Sequence, residues 1–549
     1  MARALVPRLS PRHCSTTAPP NTFITTPIFY VNSHPHLGHL YTALLADAHA
    51  RYLRLAAPGA RVLLATGTDE HGMKVQQAAA ARGLPAGRLC DEVSAEFRHL
   101  FDRFGIGYTD YVRTTELRHA AAVGEVWAGL GRSGDLYQAE YSGWYSVPDE
   151  TFVPEVAVEA RGGRHYSLES GHQVEWTSET NWMFRLARHL PAVGRWVEEA
   201  APLPPQHRAQ VAAWLAEGPG DLSVSRPRAR LPWGLEVPGD PGHTVYVWVD
   251  ALTSYLTAAG YPGHLHSWPP DLQVLGKDIL KFHAIYWPAL LLSLGLALPT
   301  RLHVHAHWTV DGVKMSKSLG NVVNPTVLAD KYTEEGVRYH LLREGVPHAD
   351  GNFSEGGLVH GLNLELADTL GNLLARATSG GINPRQEVPA ATLAASTATS
   401  AVLLAGLEDL AARVGTHYSA LHFHQGIVAV MEVVRTANLL VQEERPWLLA
   451  KEEPERRDWV LALVLETLRV AGLLLLPVLP TTSSRLLARL GVREEERVWS
   501  NATPSLSSLP RPLGEEVGVL FSKVSLPKDD VIEAPVKGKP KKNKKDKGS

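Results

Sequence analysis

At 549 residues the chain is too long for one hydrophobic core and is read as roughly two to four domains. With 44% hydrophobic and 20% charged residues and a formal net charge of -3, it is ordinary for a globular protein and excludes a histone-like polycation. Only Cys14 and Cys90 are present, which excludes a disulfide framework and a thiolate zinc cluster; the longest apolar runs, Ala471–Val478 and Ala289–Leu298, are too short to span a bilayer.

No Asp or Glu precedes Asp47, while Arg3, Arg8 and Arg12 lie among Ser, Thr and Pro. This acid-poor, Arg-bearing pattern is that of an organelle transit segment, assigned to residues 1–20, and without a long apolar stretch secretion is not expected. Phe23–Tyr30, rich in Ile, Thr and Phe, reads as a buried strand, and an apolar-periodic helix opens at His36 and runs through Leu45. Arg61–Ala65 is a second strand ending at Thr66-Gly67-Thr68-Asp69-Glu70-His71-Gly72, and a helix follows from about Lys74 to Arg82. Strand, helix, strand, helix opens an α/β doubly wound parallel sheet, whose first half is assigned to residues 21–135.

Between Leu136 and Pro238 the texture changes. Tyr137, Tyr141, Trp144 and Tyr145 crowd among short polar turns, as in a β-rich insertion over 136–238. The α/β rhythm resumes at Thr244–Asp250 and continues through Leu272–Gly276 and Leu302–Val304, giving a second half of the sheet over 239–355. Beyond Gly356 the pattern is helical, as in Leu362–Ala377, Leu403–Val414 and Asp458–Leu476, and predicts an all-α helical bundle over 356–495. An extension, 496–549, ends in Lys537–Ser549, where seven lysines face one aspartate; such a run buries no core and is expected to be disordered.

Two polar clusters carry chemistry. His36-Leu37-Gly38-His39 places two imidazoles one turn apart at a helix start, with Gly38 allowing close approach of a nucleotide to the backbone. Backbone N–H groups and the positive helix end favour phosphate there. Far downstream, Asp311-Gly312-Val313-Lys314-Met315-Ser316-Lys317-Ser318-Leu319-Gly320-Asn321 is a cationic, hydroxyl-bearing loop suited to closing on a polyphosphate. Lysines there stabilise charge on an α-phosphate and a leaving pyrophosphate most strongly during the reaction itself. No Walker loop follows a strand, so the phosphate chemistry reads as adenylyl transfer.

Together these clusters resemble the paired signatures of class I aminoacyl-tRNA synthetases. From Thr22 to Gly491 the chain resembles one family, the methionyl-tRNA synthetases, in the form found in bacteria and organelles. The matching pieces are Thr26–Asn32, His36–His39, Gly67–Gly72, Val174–Trp182, Tyr246–Ala251, Gly276–His283 and Lys314–Asn321, in order along the chain. The resemblance implies a Rossmann-like catalytic domain that activates L-methionine with ATP, brought in with Mg2+ as substrate, and transfers it to tRNA(Met). His36, His39, Lys314 and Lys317 are the implied catalytic residues. ATP would be held by His36, Gly38, His39, Gly276, Asp278, Lys314, Ser316, Lys317 and Ser318.

By the same resemblance Ile28, Tyr30, Trp248, Ala251, Tyr255 and His283 line the methionine side-chain pocket. Asp69 holds the α-ammonium group, helped by the Ile28 backbone. An aromatic pocket also suits a thioether, whose sulfur–ring contacts contribute roughly 0.3–1.5 kcal/mol each. In the bundle, Asn372, Arg376 and Trp447 match residues that read a CAU anticodon by hydrogen bonding and stacking, a natural way to recognise unstacked loop bases. The transit segment then points to the mitochondrial matrix, and a monomer is expected.

The chain departs from its relatives in two places. Many carry zinc-binding cysteine knuckles in the insertion, where this chain has Trp144–Glu150 and His172–Trp176, so no metal site and no structural zinc is expected. Leu252 stands where many relatives place proline beside the pocket. Sister synthetases for cysteine or a branched aliphatic amino acid fit less well, since the insertion lacks cysteine and is too small for an editing domain. A tRNA-binding scaffold with a dead site is opposed by intact His36, His39, Asp69, Lys314 and Lys317.

Overall fold

The structure is a computed structural model that describes residues 21–527 apart from 147–150, 154, 169, 201–202, 311, 316–320, 392–395, 450–452 and 506–509. The transit segment, Lys317, Ser316, Ser318 and the lysine-rich tail therefore lie outside the described residues. At its centre is a six-stranded parallel sheet in the order Leu302–His305, Leu272–Gly276, Thr22–Thr25, Val62–Asp69 and Phe29–Tyr30, with Asp110–Arg113 pairing the other edge of Val62–Asp69.

The single strand expected over Phe23–Tyr30 is two, Thr22–Thr25 and Phe29–Tyr30, because Pro27 has no N–H to give the ladder. Both run along the same neighbour, so Tyr30 comes to lie directly beside Asp69. The first helix, Leu37–Ala56, runs well past Leu45. Its downstream residues bury Ala46, Asp47, Ala48, His49 and Ala50, a face wide enough to meet both the sheet and the bundle.

The insertion is built on a long antiparallel pair, Leu136–Ser146 with Gln173–Phe184, in register from Leu136 opposite Phe184 to Tyr145 opposite Glu175. Aromatic contacts fill one end. Trp144 stacks on His165 at 4.0 Å and meets Trp176 edge-on at 5.4 Å. Among the described residues no cluster of three or more His, Cys, Asp or Glu could hold a metal ion, and no helix is long and apolar enough to cross a membrane.

The C-terminal helices Phe423–Glu444 and Pro454–Leu475 form the spine of the bundle, the second with its proline in the first turn, where its missing N–H costs nothing. The segment expected as Leu403–Val414 is two helices, Ala398–Glu408 and Leu410–Ser419, broken at Asp409. A fully buried arginine, Arg338, ties bundle to sheet. Its guanidinium donates to Asp47 at 2.8 Å, to the Phe104 carbonyl at 3.1 Å, and to the carbonyls of Pro477 and Val478 at 3.3 Å. Such a charge is tolerable in a core only when paired and hydrogen-bonded this fully.

Candidate active site

Helix Leu37–Ala56 begins with an unusual cap. His36 is its N-cap and its Nδ1 accepts the Gly38 N–H at 3.1 Å, while the His39 Nδ1 accepts the His36 N–H at 3.3 Å. This is a capping box made by two histidines, a job usually done by Ser or Thr with Glu. Since both Nδ1 atoms accept, the proton of each neutral ring sits on Nε2, a donor suited to phosphate oxygen. The rings stack with centroids 3.6 Å apart. A Cβ at Gly38 would come within 3.1 Å of the His36 ring and press it a few tenths of an ångström out of this position.

The cap is tied to the far half of the sheet. Thr42, on the second turn of the helix, bonds His305 through Oγ1 and Nε2 at 2.8 Å, and His305 lies across from Gly276 in the adjacent strand. Gly276 ends its strand and leads into the turn Lys277–Ile279. A Cβ there would lie 2.8 Å from the Asp278 carboxylate, so the glycine lets Asp278 fold back over the strand end. Desolvation works against ionising Asp278, but the hydrogen bond and charge of His307, 3.4 Å away, hold the carboxyl at about 2. Lys277 pairs with Asp350 at 2.6 Å.

Both flanks of the lysine loop are anchored, the downstream one against this cap. Val313–Lys314 pairs with Trp308–Val310, and the Gly312 N–H donates to Asn352 at 2.8 Å. On the other side, the Leu37 N–H donates to the Val323 carbonyl at 3.2 Å, bringing the chain just after Asn321 against the first turn of the histidine helix.

The residues expected to bind methionine come from four elements. Ile28 precedes Phe29–Tyr30, and Tyr30 packs against the apolar cluster that also holds Tyr255 and Trp248. Asp69 ends its strand, buried, in register with Tyr30. Trp248, Ala251 and Tyr255 fall on one face of the helix Val247–Ala258 by their spacing of three and four. His283 donates from Nδ1 to the Ile279 carbonyl at 2.9 Å, so its Nε2 accepts the Tyr255 hydroxyl proton at 2.7 Å. Burial drives the His283 pKa down to about 4 and keeps the ring neutral, and burial also raises the Tyr255 phenol.

Sequence reasoning missed two features here. Phe282 stacks on Trp248 at 3.6 Å and 12°, a partner adjacent to His283 in the same motif. Behind the pocket, buried Asp250 bonds His71 at 2.7 Å and His119 at 2.8 Å. Burial alone would raise Asp250, yet the charge of His71 and the bonds from both histidines hold it at about 2; burial likewise opposes charging His71, but Asp250 raises it above its ordinary value. The network pins the loop after Asp69 to the helix carrying Trp248 and Tyr255. Its members are 179 and 131 residues apart, so no local spacing announces it.

In the bundle, the Arg376 guanidinium lies 5.4 Å from the Trp447 ring centroid. Trp447 is 42% exposed, rare for so large an apolar ring and contrary to a core role. It follows Arg445, whose φ of 45° ends the preceding helix in a left-handed turn, and Pro446. Asn372 sits one turn before Arg376 and donates to Asp368 at 3.1 Å.

A parallel sheet whose strand ends meet a histidine-capped helix, an anchored lysine loop and a separate helical bundle defines a class I aminoacyl-tRNA synthetase. The family model "tRNA synthetases class I (M)" matches residues 22–378, and "Anticodon binding domain of methionyl tRNA ligase" matches 388–536. The chain belongs to the methionyl-tRNA synthetase family. It is 45% identical to the mitochondrial methionine–tRNA ligases of Bos taurus and Homo sapiens, covering 93% of this chain and 92% of each relative. Among solved structures it is similar to Mycobacterium tuberculosis methionyl-tRNA synthetase in complex with methionyl-adenylate, with a TM-score of 0.86 and 37% identity over 91% of this chain and 99% of that one.

Proposed function

We propose that the protein is a methionine–tRNA ligase of mitochondria that activates L-methionine with ATP and transfers it to tRNA(Met). The observation that carries this reading is the Leu37–Val323 hydrogen bond, which delivers the flank of the 311–321 loop to the histidine cap. That juxtaposition suits a clamp on a polyphosphate. In the first step the methionine carboxylate attacks the α-phosphorus of ATP, a new carboxyl–phosphate bond forms, and pyrophosphate leaves. The ribose hydroxyl at the 3′ end of the tRNA then attacks the carbonyl carbon and AMP leaves.

The chain's residues act by placement and charge. His36 and His39 donate from Nε2 to the α-phosphate as charge builds, and Lys314 and Lys317, with Ser316 and Ser318, close on the leaving pyrophosphate, which arrives with its Mg2+. Gly276 lets the nucleotide approach the strand end, where Asp278, ionised at working pH, accepts from the ribose. Asp69 takes the ammonium group, while Ile28, Tyr30, Trp248, Ala251, Tyr255 and His283 enclose the thioether. Asn372, Arg376 and Trp447 read the anticodon. The names of the mitochondrial relatives support the compartment, as does the acid-poor stretch before Asp47.

The test is amino-acid-dependent ATP–pyrophosphate exchange across all twenty amino acids. Methionine is expected to support exchange well above the rest, and Lys317→Ala to slow that exchange far more than it weakens methionine binding. Exchange with leucine or cysteine but not methionine, or none at all, overturns the assignment.

A further inference from the structure

The extension after residue 496 is more than a tail. Arg511 and Pro512 pair antiparallel with Val388 and Glu387, and the Gly514 N–H donates to the Arg489 carbonyl at 3.0 Å. A Cβ at 514 would lie 2.0 Å from the Ala488 oxygen, so only glycine lets the chain pass here. Arg485 then gathers the carbonyls of Val517, Val519 and Leu520 at 2.7, 2.9 and 3.1 Å. Leu520 and Phe521 are buried, and Val524 exchanges two hydrogen bonds with the Asn363 side chain at 2.8 and 2.9 Å. These anchors make the segment a fixed strap along the helix that leads to Asn372.

Glu515, Glu516, Val519, Ser522 and Lys523 are the exposed side chains between the anchors, and Lys523 is the cation among them. Lys523 is 64% exposed, and its ammonium lies 2.8 Å from Asp368 Oδ1. The same oxygen accepts the Asn372 amide N–H at 3.1 Å; Arg376 follows one turn on, and its guanidinium lies 5.4 Å from the ring centroid of Trp447 on another helix. Lys523, Asn372, Arg376 and Trp447 thus form one continuous face, cationic at two points and aromatic at a third. An ion pair this exposed adds little to stability, so fixing the fold does not account for it. The ammonium has three N–H donors, and Asp368 occupies one direction of them.

We propose that Lys523 is an RNA-backbone contact: it takes a phosphate of the anticodon arm while Asp368 keeps it aligned with Asn372. The inference rests on the reading of Asn372, Arg376 and Trp447 as the anticodon-binding face, and extends that face onto the strap. The ligand is a phosphodiester, met by charge and not by base identity, so the contact adds affinity irrespective of the base.

The experiment is equilibrium binding of a tRNA(Met) transcript to the full chain over a range of KCl concentrations, for wild type, Lys523→Gln and Lys523→Arg. Lys523→Gln is expected to weaken binding roughly 3- to 10-fold, and to make the log–log salt dependence shallower by about 0.7, the loss of one single-strand phosphate contact. Lys523→Arg should restore most of both. Wild-type affinity and salt slope in Lys523→Gln overturn the inference, as does a lower melting temperature with an unchanged slope, which would mark Lys523 as a staple of the strap. A wild-type chain that binds no tRNA(Met) overturns the parent reading as well.

Discussion

At the scale of single residues, the buried hydrogen bond between Tyr255 and His283 is the feature of the proposed methionine pocket most open to test. The hydroxyl and the neutral ring satisfy each other inside an apolar wall, so neither offers a charge to a wrong substrate. Tyr255→Phe leaves the buried Nε2 without its donor, a loss of about 1–3 kcal/mol. That loss falls on stability, and through the loosened pocket wall the methionine KM should rise while the ATP KM changes little. An equal rise in both would show a collapsed site. Of this arrangement the sequence carried the residues but not the bond: Tyr255 and His283 stand in recognisable motifs, whereas the proton direction depends on Ile279, whose role is set by its carbonyl. Phe282 is a similar case, since a stack on Trp248 looks in sequence like any apolar neighbour of a buried histidine.

Elements were easier to find than their ends. The periodicity of Leu37–Ala56 marks a helix, but its length follows from meeting the bundle, and its cap from two residues that seldom cap. Pro27 and Asp409 divide what hydrophobic pattern joins, because a run of apolar residues says nothing about a missing N–H or a turn between two helices. The strap over 510–527 was hidden because it borders a lysine-rich end and its apolar residues follow no helical or strand period; its anchors, Arg485, Arg489 and Asn363, lie on other elements. The cap gives a clean separation of structure from chemistry. Asn is as good an N-cap as any residue, so His36→Asn should keep the helix, with a melting temperature within a few degrees of wild type. It removes the Nε2 donor, and methionine-dependent pyrophosphate exchange should fall by about 10²-fold. Full exchange in a folded His36→Asn variant would reduce His36 to a cap.

Across the whole molecule, buried neutral histidines gather where the catalytic sheet meets the bundle. His49 bonds the Tyr418 carbonyl of the bundle at 3.2 Å, Arg301 bonds that of Ser419 at 2.7 Å, and His303, His305 and His340 lie buried in adjoining elements of the catalytic half. Burial is the main cause in every case and lowers His49, His305 and His340 to about 4, with Arg301 adding to the effect at His49 and Arg343 at His340; His303 is likewise lowered well below its ordinary value. The unfolded chain takes up protons at these histidines as pH falls below about 6.5, while the native chain declines them until about 4. Their burial is therefore without penalty above 6.5, and stability drops through the window from 6.5 to 4. Asp250 has the opposite chemistry but the same sign, because its contribution is full above about 3.9 and is lost only as pH falls towards 2. Each histidine costs up to about 1.4 kcal/mol per pH unit in its window, and domains hold only about 5–15 kcal/mol in reserve. The melting temperature at constant ionic strength should thus fall steeply between pH 6.5 and 5, well before the carboxylates titrate. His340→Gln, which cannot charge, should flatten that slope. A melting temperature level down to pH 5 and falling only below 4 would assign acid lability to the carboxylates instead.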